Sequence, residues 1–218
     1  QATLRPYQQV GVQWLWWLYT LRLGGCLADD MGLGKTIQVL ALLLLAKHHS
    51  SGEKKGPNLL ILPASLLGNW QAEINKFAPD LKFTIIHSST SNSIKVKEIP
   101  DLSQVDLVIT TYAYVSRLPW LAKISWNIVI LDEAQSIKNP SAKQTQAIKK
   151  LPSHVRFVLT GTPVENRLLD LWSLFDFIAP GLLGSSRAFS NYGKQTLQHS
   201  QEKEGRFYAA IRHLVSPY

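Results

Sequence analysis

The stretch DDMGLGKT, residues 29–36, follows the short apolar run GGCLA (24–28) and opens a helical pattern at Thr36. A phosphate-cradling loop reads glycine, four residues, then Gly-Lys-Ser/Thr. Gly34, Lys35 and Thr36 fit, while Asp29 stands where the first glycine is usual. The physics survives that departure. Gly32 and Gly34 let the backbone take unusual dihedrals and bring amides close to phosphate oxygens. A helix starting near Lys35 points its positive end at the same place. Lys35 is then set to reach β- and γ-phosphates, and Thr36 to ligate Mg²⁺. The rival dinucleotide site needs a G-x-G-x-x-G spacing, which is absent, and has no use for Lys35.

Working outward, apolar runs recur and end in Gly, Pro, Thr or Asp. They are NLLILP (58–63), KFTIIH (82–87), DLVITT (106–111), NIVILDE (127–133) and RFVLTGT (156–162). Continuous rather than alternating apolar residues predict strands covered on both faces, as in a parallel sheet. Helical patterns at 36–48, 66–77 and 142–151 sit between them. Alternating strands and helices predict an α/β sandwich with right-handed crossovers. Ligands then bind at the carboxyl ends of the strands. The opening segment, residues 5–23, reads as an amphipathic helix, with Trp14, Leu15, Trp17, Leu18 and Leu21 expected against the core. Polar stretches at 48–58 and 87–104 read as connections.

A second site element lies at one such strand end. The run IVIL ends in Asp132-Glu133-Ala134-Gln135. An acid at the end of a buried strand is the Walker B arrangement. Asp132 is expected to hold Mg²⁺, usually through water, because that ion keeps much of its hydration shell. Glu133 is expected to polarise an attacking water as general base.

Composition bounds the rest. With 218 residues, 45% of them hydrophobic, the chain suffices for one sizeable core. Its single cysteine, Cys26, excludes an internal disulfide and reads as a small core residue. No apolar run approaches the ~20 residues of a spanning helix, so no membrane partner is expected. The opening residues lack a signal-peptide pattern. A net charge of +8 favours an anionic partner, and nucleic acid is the commonest.

In order along the chain, DDMGLGKT, ILDEAQ (130–135) and LTGTP (159–163) resemble motifs I, II and III of the superfamily-two helicase-like ATPases. The strings LRPYQQVGVQWL (4–15), LPASLLGNWQAEINKF (62–77), ITTYAYV (109–115), SIKNPSAKQTQAI (136–148) and GTPVENRLLDLWSLFDFIAPGLLG (161–184) are similar to the Swi/Snf branch. The resemblance covers almost the whole chain. It implies a P-loop NTPase fold, a RecA-like parallel sheet sandwiched between helices. It also implies a DNA-stimulated ATPase that uses ATP and Mg²⁺, translocates on double-stranded DNA and remodels protein–DNA complexes, chromatin or transcription assemblies among them.

Residue roles follow from the same resemblance. Gln8 is expected to read adenine, an edge that suits an amide's donor and acceptor. Asp30, Met31, Gly32, Leu33, Gly34, Lys35 and Thr36 form the phosphate loop, with Gln135 completing the nucleotide site. Pro63, Ser65 and Asn69, then Thr110, Thr111 and Tyr112, are expected to line the DNA track through backbone-positioning contacts. For Trp70, packing and a place on that track carry equal weight. Thr160, Gly161 and Thr162 match the relay between nucleotide and DNA. Asp30 stands where the family more often has Glu, and Gln135 where it often has His. That amide is still expected to bridge by hydrogen bonds to the relay string LTGTP (159–163).

Residues 1–180 are expected to form the ATP-binding lobe and 181–218 a helical extension toward a second RecA-like lobe. That second lobe would supply arginine fingers, worth about 10³–10⁵ in turnover. The lobe alone is therefore expected to bind ATP weakly and hydrolyse it poorly. The insertion-poor lobe and the DEAQ string lean bacterial or archaeal. A prokaryotic member would work in the cytoplasm at the nucleoid, a eukaryotic one in the nucleus. Two alternatives stay open: an RNA helicase of the same superfamily, and an inactive nucleic-acid- or partner-binding module.

Overall fold

A computed structural model of the chain describes residues 3–30, 32–49, 56–87, 99–161, 168–197, 211 and 213–215. Among them, six strands form one sheet: β1 (Gly25–Leu27), β2 (Asn58–Leu62), β3 (Phe83–Ile86), β4 (Leu107–Thr111), β5 (Trp126–Asp132) and β6 (Ser153–Leu159). Their spatial order is β1-β6-β5-β2-β4-β3. Every neighbouring pair is parallel. All six carboxyl ends therefore share one edge, the edge at which ligands of such sheets bind.

Each predicted run becomes a strand, and only β6 departs from its run by more than one residue at either end. β6 begins at Ser153, three residues before the run RFVLTGT, because pairing with the start of β5 at Trp126 extends it. Polar Ser153, His154 and Arg156 lie in this stretch, so it carries no apolar signal.

Helices cover both faces. α1 (Pro6–Thr20), α2 (Lys35–His48) and α3 (Leu67–Phe77) lie on one side. There Leu15, Leu18, Leu42, Leu43, Trp70 and Ile74 pack on Leu60, Ile130 and Phe157. The short α4 (Tyr112–Val115), α5 (Lys143–Lys149) and α6 (Leu168–Ile178) supply the other side. Here Ile148, Leu174 and Phe177 meet Ile61, Leu131 and Val158. Successive strand residues point to opposite faces, so each run feeds both cores and is largely apolar. Beyond α6, helix α7 (Ser186–Leu197) contributes Phe189 to a smaller cluster with Leu171, Trp172 and Phe175.

The aromatic pattern of α1 needs correction. Trp17 is 56% exposed and Leu21 50% exposed. The buried stripe is Gln8, Val12, Leu15, Leu18 and Tyr19, a true 3.6-residue repeat. Pro6 opens the helix, where a missing N–H costs nothing.

Candidate functional site

The phosphate loop hangs from the end of β1. Gly32 (φ +86°) and Gly34 (φ +80°) occupy the left-handed region, and Gly34 caps α2. A side chain at either position would strain that backbone. The Lys35 ammonium donates to the carbonyls of Asp29 at 2.6 Å and Asp30 at 3.2 Å. Thr36 sits in the first turn of α2, and Met31 lies outside the described residues.

Asp29 gains a role that sequence alone left open. Its carboxylate accepts a hydrogen bond from Gln38 Nε2 at 3.0 Å, tying the loop to α2. Gln38 is fully buried. From α1, Gln8 Nε2 and the Tyr7 hydroxyl both donate to the Leu33 carbonyl, at 3.1 and 3.2 Å. Gln8 Oε1 accepts the Arg5 N–H at 3.0 Å. The Gln8 amide is thus clamped on the phosphate loop and keeps one N–H and one lone pair for another partner.

Two strands away, β5 ends at Asp132. Its Oδ2 accepts the Trp70 indole N–H at 2.7 Å, and its Oδ1 accepts the Glu133 N–H at 2.9 Å. The Tyr112 hydroxyl donates to the Asp132 carbonyl at 2.8 Å. Glu133 itself has φ +51°, left-handed for a non-glycine residue. Such a backbone costs about 1–2 kcal/mol and turns the chain sharply at the strand end. The Glu133 carboxylate accepts a short hydrogen bond from Gln135 Nε2, and Gln135 Oε1 accepts the Thr160 hydroxyl at 3.3 Å. Thr160 N–H in turn donates to the Leu27 carbonyl at 3.2 Å. A hydrogen-bonded line therefore runs from Glu133 through Gln135 and Thr160 to the strand that launches the phosphate loop.

Electrostatics joins the two halves. Burial holds the Asp132 carboxyl above its usual range, and the Glu133 charge adds to that. The bonds from Trp70 and Glu133 pull it back down, as does the nearby Lys35 ammonium. The Glu73 carboxyl is raised by burial and by Asp132, against a hydrogen bond with Thr36 and the charge of Lys76. Burial, then Asp132 and Glu133, push the Tyr112 phenol well above its ordinary value. Lys35, Thr36, Glu73 and Asp132 consequently share one neighbourhood. Thr36 and Asp132 offer hard oxygen donors, and a carboxylate buried at a cost gains from a cation, so the pair fits Mg²⁺. Among the described residues no cluster of three or more His, Cys, Asp or Glu could hold a metal. An ion here would draw on phosphate oxygens and water, as Mg²⁺ usually does.

The expected DNA track divides. Ser65 and Asn69 are exposed around the start of α3 and Pro63 is half-buried. Thr110, Thr111 and Tyr112 are buried instead. Thr110 donates to the Ile86 carbonyl at 2.9 Å and Tyr112 to Asp132. Strand β4 lies between β2 and β3 and is covered on both faces, so its side chains have no open surface for a duplex. Gly161 is half-buried at the end of β6, whereas Thr162, Pro163, Glu165 and Asn166 lie outside the described residues.

Sequence reasoning assigned no site role to Gln38 or Glu73 and left Trp70 open. Glu73 lies three residues after Trp70, on the same helix face, a periodicity that marks both as facing the sheet. A cavity of ≈ 560 Å³ opens at the opposite edge of the sheet, where Lys47 pairs with Asp106 at 2.7 Å and Asn127 with Asn58 at 3.0 Å. Those polar groups answer one another, and the candidate chemistry lies elsewhere.

The family model described as the SNF2-related domain matches residues 7–218. A putative ATP-dependent helicase/translocase of Bacillus subtilis is 41% identical over 219 residues, which is 100% of this chain and 23% of that protein. A TATA-binding protein-associated factor of Saccharomyces cerevisiae is 39% identical over 199 residues, 87% of this chain and 11% of its own length. Among solved structures, the Sulfolobus solfataricus SWI2/SNF2 ATPase core in complex with dsDNA aligns with a TM-score of 0.86 at 40% identity. That alignment covers 100% of this chain and 44% of the other. The chain spans less than half the length of each of these three relatives.

Proposed function

The chain belongs to the SNF2-related domain family, and from that premise we propose that it is the ATP-binding lobe of a DNA-stimulated ATPase. The parent protein would translocate on double-stranded DNA and remodel protein–DNA complexes. One observation carries the proposal: hydrogen bonds run from the Glu133 carboxylate through Gln135 and Thr160 to the Leu27 carbonyl, so the acidic end of β5 is tied to the strand from which the phosphate loop hangs. That tie supports one nucleotide site shared by Lys35, Asp132 and Glu133.

The roles follow from that geometry. Backbone amides around Gly32 and Gly34 and the positive end of α2 cradle the phosphates. Lys35 exchanges its bonds to Asp29 and Asp30 for β- and γ-phosphate oxygens. Thr36 and Asp132 hold Mg²⁺, which when bound neutralises charge developing on the phosphoryl oxygens. Glu133 orients and deprotonates the attacking water, with Gln135 fixing its carboxylate. Gln8 anchors the loop and keeps hydrogen-bonding capacity for adenine. Ser65 and Asn69 meet the DNA backbone, positioning without sequence readout. Arginine fingers would come from a second RecA-like lobe in the parent protein.

Two measurements test this. Titration of the chain with a fluorescent ATP analogue should show binding that Mg²⁺ strengthens and Lys35→Ala weakens. Phosphate release by a two-lobed parent should rise with duplex DNA. Absence of stimulation together with a silent Lys35→Ala change would refute the motor and favour an inactive binding module. Stronger stimulation by duplex RNA than by DNA would favour an RNA helicase.

A further inference from the structure

Buried tryptophans usually find a partner for the indole N–H, and a backbone carbonyl suffices. The chain does so twice: Trp126 donates to the Leu121 carbonyl and Trp172 to the Gly184 carbonyl, both at 2.9 Å. Trp70 differs. It is 2% exposed, packed in the core beneath α3, and its indole N–H reaches the Asp132 carboxylate at 2.7 Å. A backbone carbonyl would have satisfied it without drawing in a charged group from a strand 62 residues away.

The consequence falls on Asp132. Its two carboxylate oxygens each accept one hydrogen bond, Oδ2 from Trp70 and Oδ1 from the Glu133 N–H. Its carbonyl accepts the Tyr112 hydroxyl. Two of these donors fix the carboxylate itself, and the third fixes the backbone that carries it. The Glu133 N–H is fixed by the chain itself and Tyr112 holds only the backbone, so Trp70 is the side chain that sets the carboxylate plane. A bond to an ionised acceptor is also about twice as strong as a neutral one. Partners that orient a metal-holding carboxylate are worth about 10–100-fold in metal affinity.

We propose that Trp70 is a positioning residue of the metal site, holding the Asp132 carboxylate through its indole N–H in the orientation that meets the ion. The proposal rests on the reading of Asp132 as a metal holder. Trp70 touches neither nucleotide nor metal, and its effect passes entirely through Asp132. The apolar bulk of the ring serves the core, while the N–H serves the site.

Trp70→Phe separates these two duties, because it keeps an aromatic ring and deletes the donor. Mn²⁺ binding to the chain, followed by electron paramagnetic resonance with saturating adenylyl imidodiphosphate, should weaken about 10–100-fold. Affinity for the same nucleotide in EDTA should stay within about twofold of wild type, since metal-free binding does not use Asp132. In an Asp132→Asn background Trp70→Phe should cost no further Mn²⁺ affinity. Unchanged Mn²⁺ affinity in Trp70→Phe would overturn the proposal, and so would equal losses with and without metal. If wild type binds no Mn²⁺ alongside nucleotide, the metal-site reading falls first and takes the proposal with it. Should Trp70→Phe not fold, ¹⁵N-indole spectra of wild type and Asp132→Asn decide. One indole resonance should move with the substitution and respond to Mg²⁺-nucleotide, and two spectra that superimpose would refute the contact.

Discussion

Gly11 sits inside α1, and replacing it with alanine sets two effects against each other. Helix propensity favours alanine by about 1 kcal/mol. Packing opposes it, because a Cβ at residue 11 would lie 1.9 Å from Gln38 Oε1. Real Cβ contacts essentially never fall under 3.0 Å, so the Gln38 amide must move by more than an ångström. That amide is fully buried and its Nε2 holds the Asp29 carboxylate at 3.0 Å. Losing a hydrogen bond to a charged group costs about 1.5–3 kcal/mol. Packing wins, and Gly11→Ala should destabilise by a net amount of about 0.5–2 kcal/mol. For a chain of this size that lowers Tm by about 1–8 °C. Chemical denaturation should show the same loss at an unchanged m-value. The effect should reach function too, since Asp29 anchors the phosphate loop, and Mg²⁺-ATP affinity should fall with stability. The control is Gln38→Ala. In that background the clash is gone, and Gly11→Ala should become neutral or stabilising. A Gly11→Ala protein at least as stable as wild type would refute the packing argument, and equal losses in both backgrounds would refute its assignment to Gln38.

Lys35→Ala removes a charge-assisted phosphate contact and should weaken Mg²⁺-ATP binding about 10- to 100-fold by fluorescence titration; wild-type affinity would place the phosphates elsewhere. Burial raises the Asp132 carboxyl, so its ionised form destabilises the fold at neutral pH, and the penalty disappears as pH falls through the raised value and then the unfolded one. Asp132→Asn should therefore raise Tm at pH 7, with a gain that shrinks in acid, while weakening metal-dependent nucleotide binding. Burial also pushes the Cys26 thiol up to about 12 from 9.0, so alkylation at pH 8 should be slow in the native protein and fast after denaturation. That same shift makes stability fall as pH rises from about 9 toward 12, because only the unfolded thiol then ionises. Duplex DNA binding should weaken steeply with salt, with a slope near −0.9 for each phosphate neutralised, and a flat plot would contradict a backbone track.

The sheet was legible because its signals are local. A strand buried on both faces is apolar along its middle, and the consecutive buried residues Leu59 to Leu62 in β2 and Ile128 to Leu131 in β5 meet that demand. The phosphate loop was legible because glycine spacing, lysine and helix start occupy eight contiguous residues. What the sequence left open in places was which way a side chain points once the fold closes. Thr110, Thr111 and Tyr112 carry hydroxyls at a strand end and suggested an open track, but β4 is an interior strand and the hydroxyls of Thr110 and Tyr112 serve the core. Trp17 and Leu21 shared helical spacing with core residues yet face outward, because polar Gln8 takes a place in the buried stripe beneath the phosphate loop.

The most informative contacts are also distant in sequence. Trp70 to Asp132 spans 62 residues, Gln8 to Leu33 spans 25 and Thr160 to Gln135 spans 25. None has a local pattern, and each links an otherwise recognisable motif to another. They share a physical logic. Motif residues that would touch ATP or metal are charged or strained, as Asp132 and Glu133 are, and cannot hold their own orientation in a pocket that must also admit water. Uncharged, well-packed side chains hold them: an indole, amides and a hydroxyl. α3 carries this furthest, since it exposes Asn69 to the proposed DNA track and buries the neighbouring Trp70 against the metal carboxylate. A rigid helix cannot shift one of these adjacent residues without the other. If backbone phosphate pulls on Asn69, the indole N–H must move relative to Asp132. Asn69→Ala should then lower DNA stimulation of a two-lobed parent while leaving its DNA-free ATPase rate unchanged. Equal losses in both rates would show that Asn69 supports the lobe's structure instead of reporting DNA.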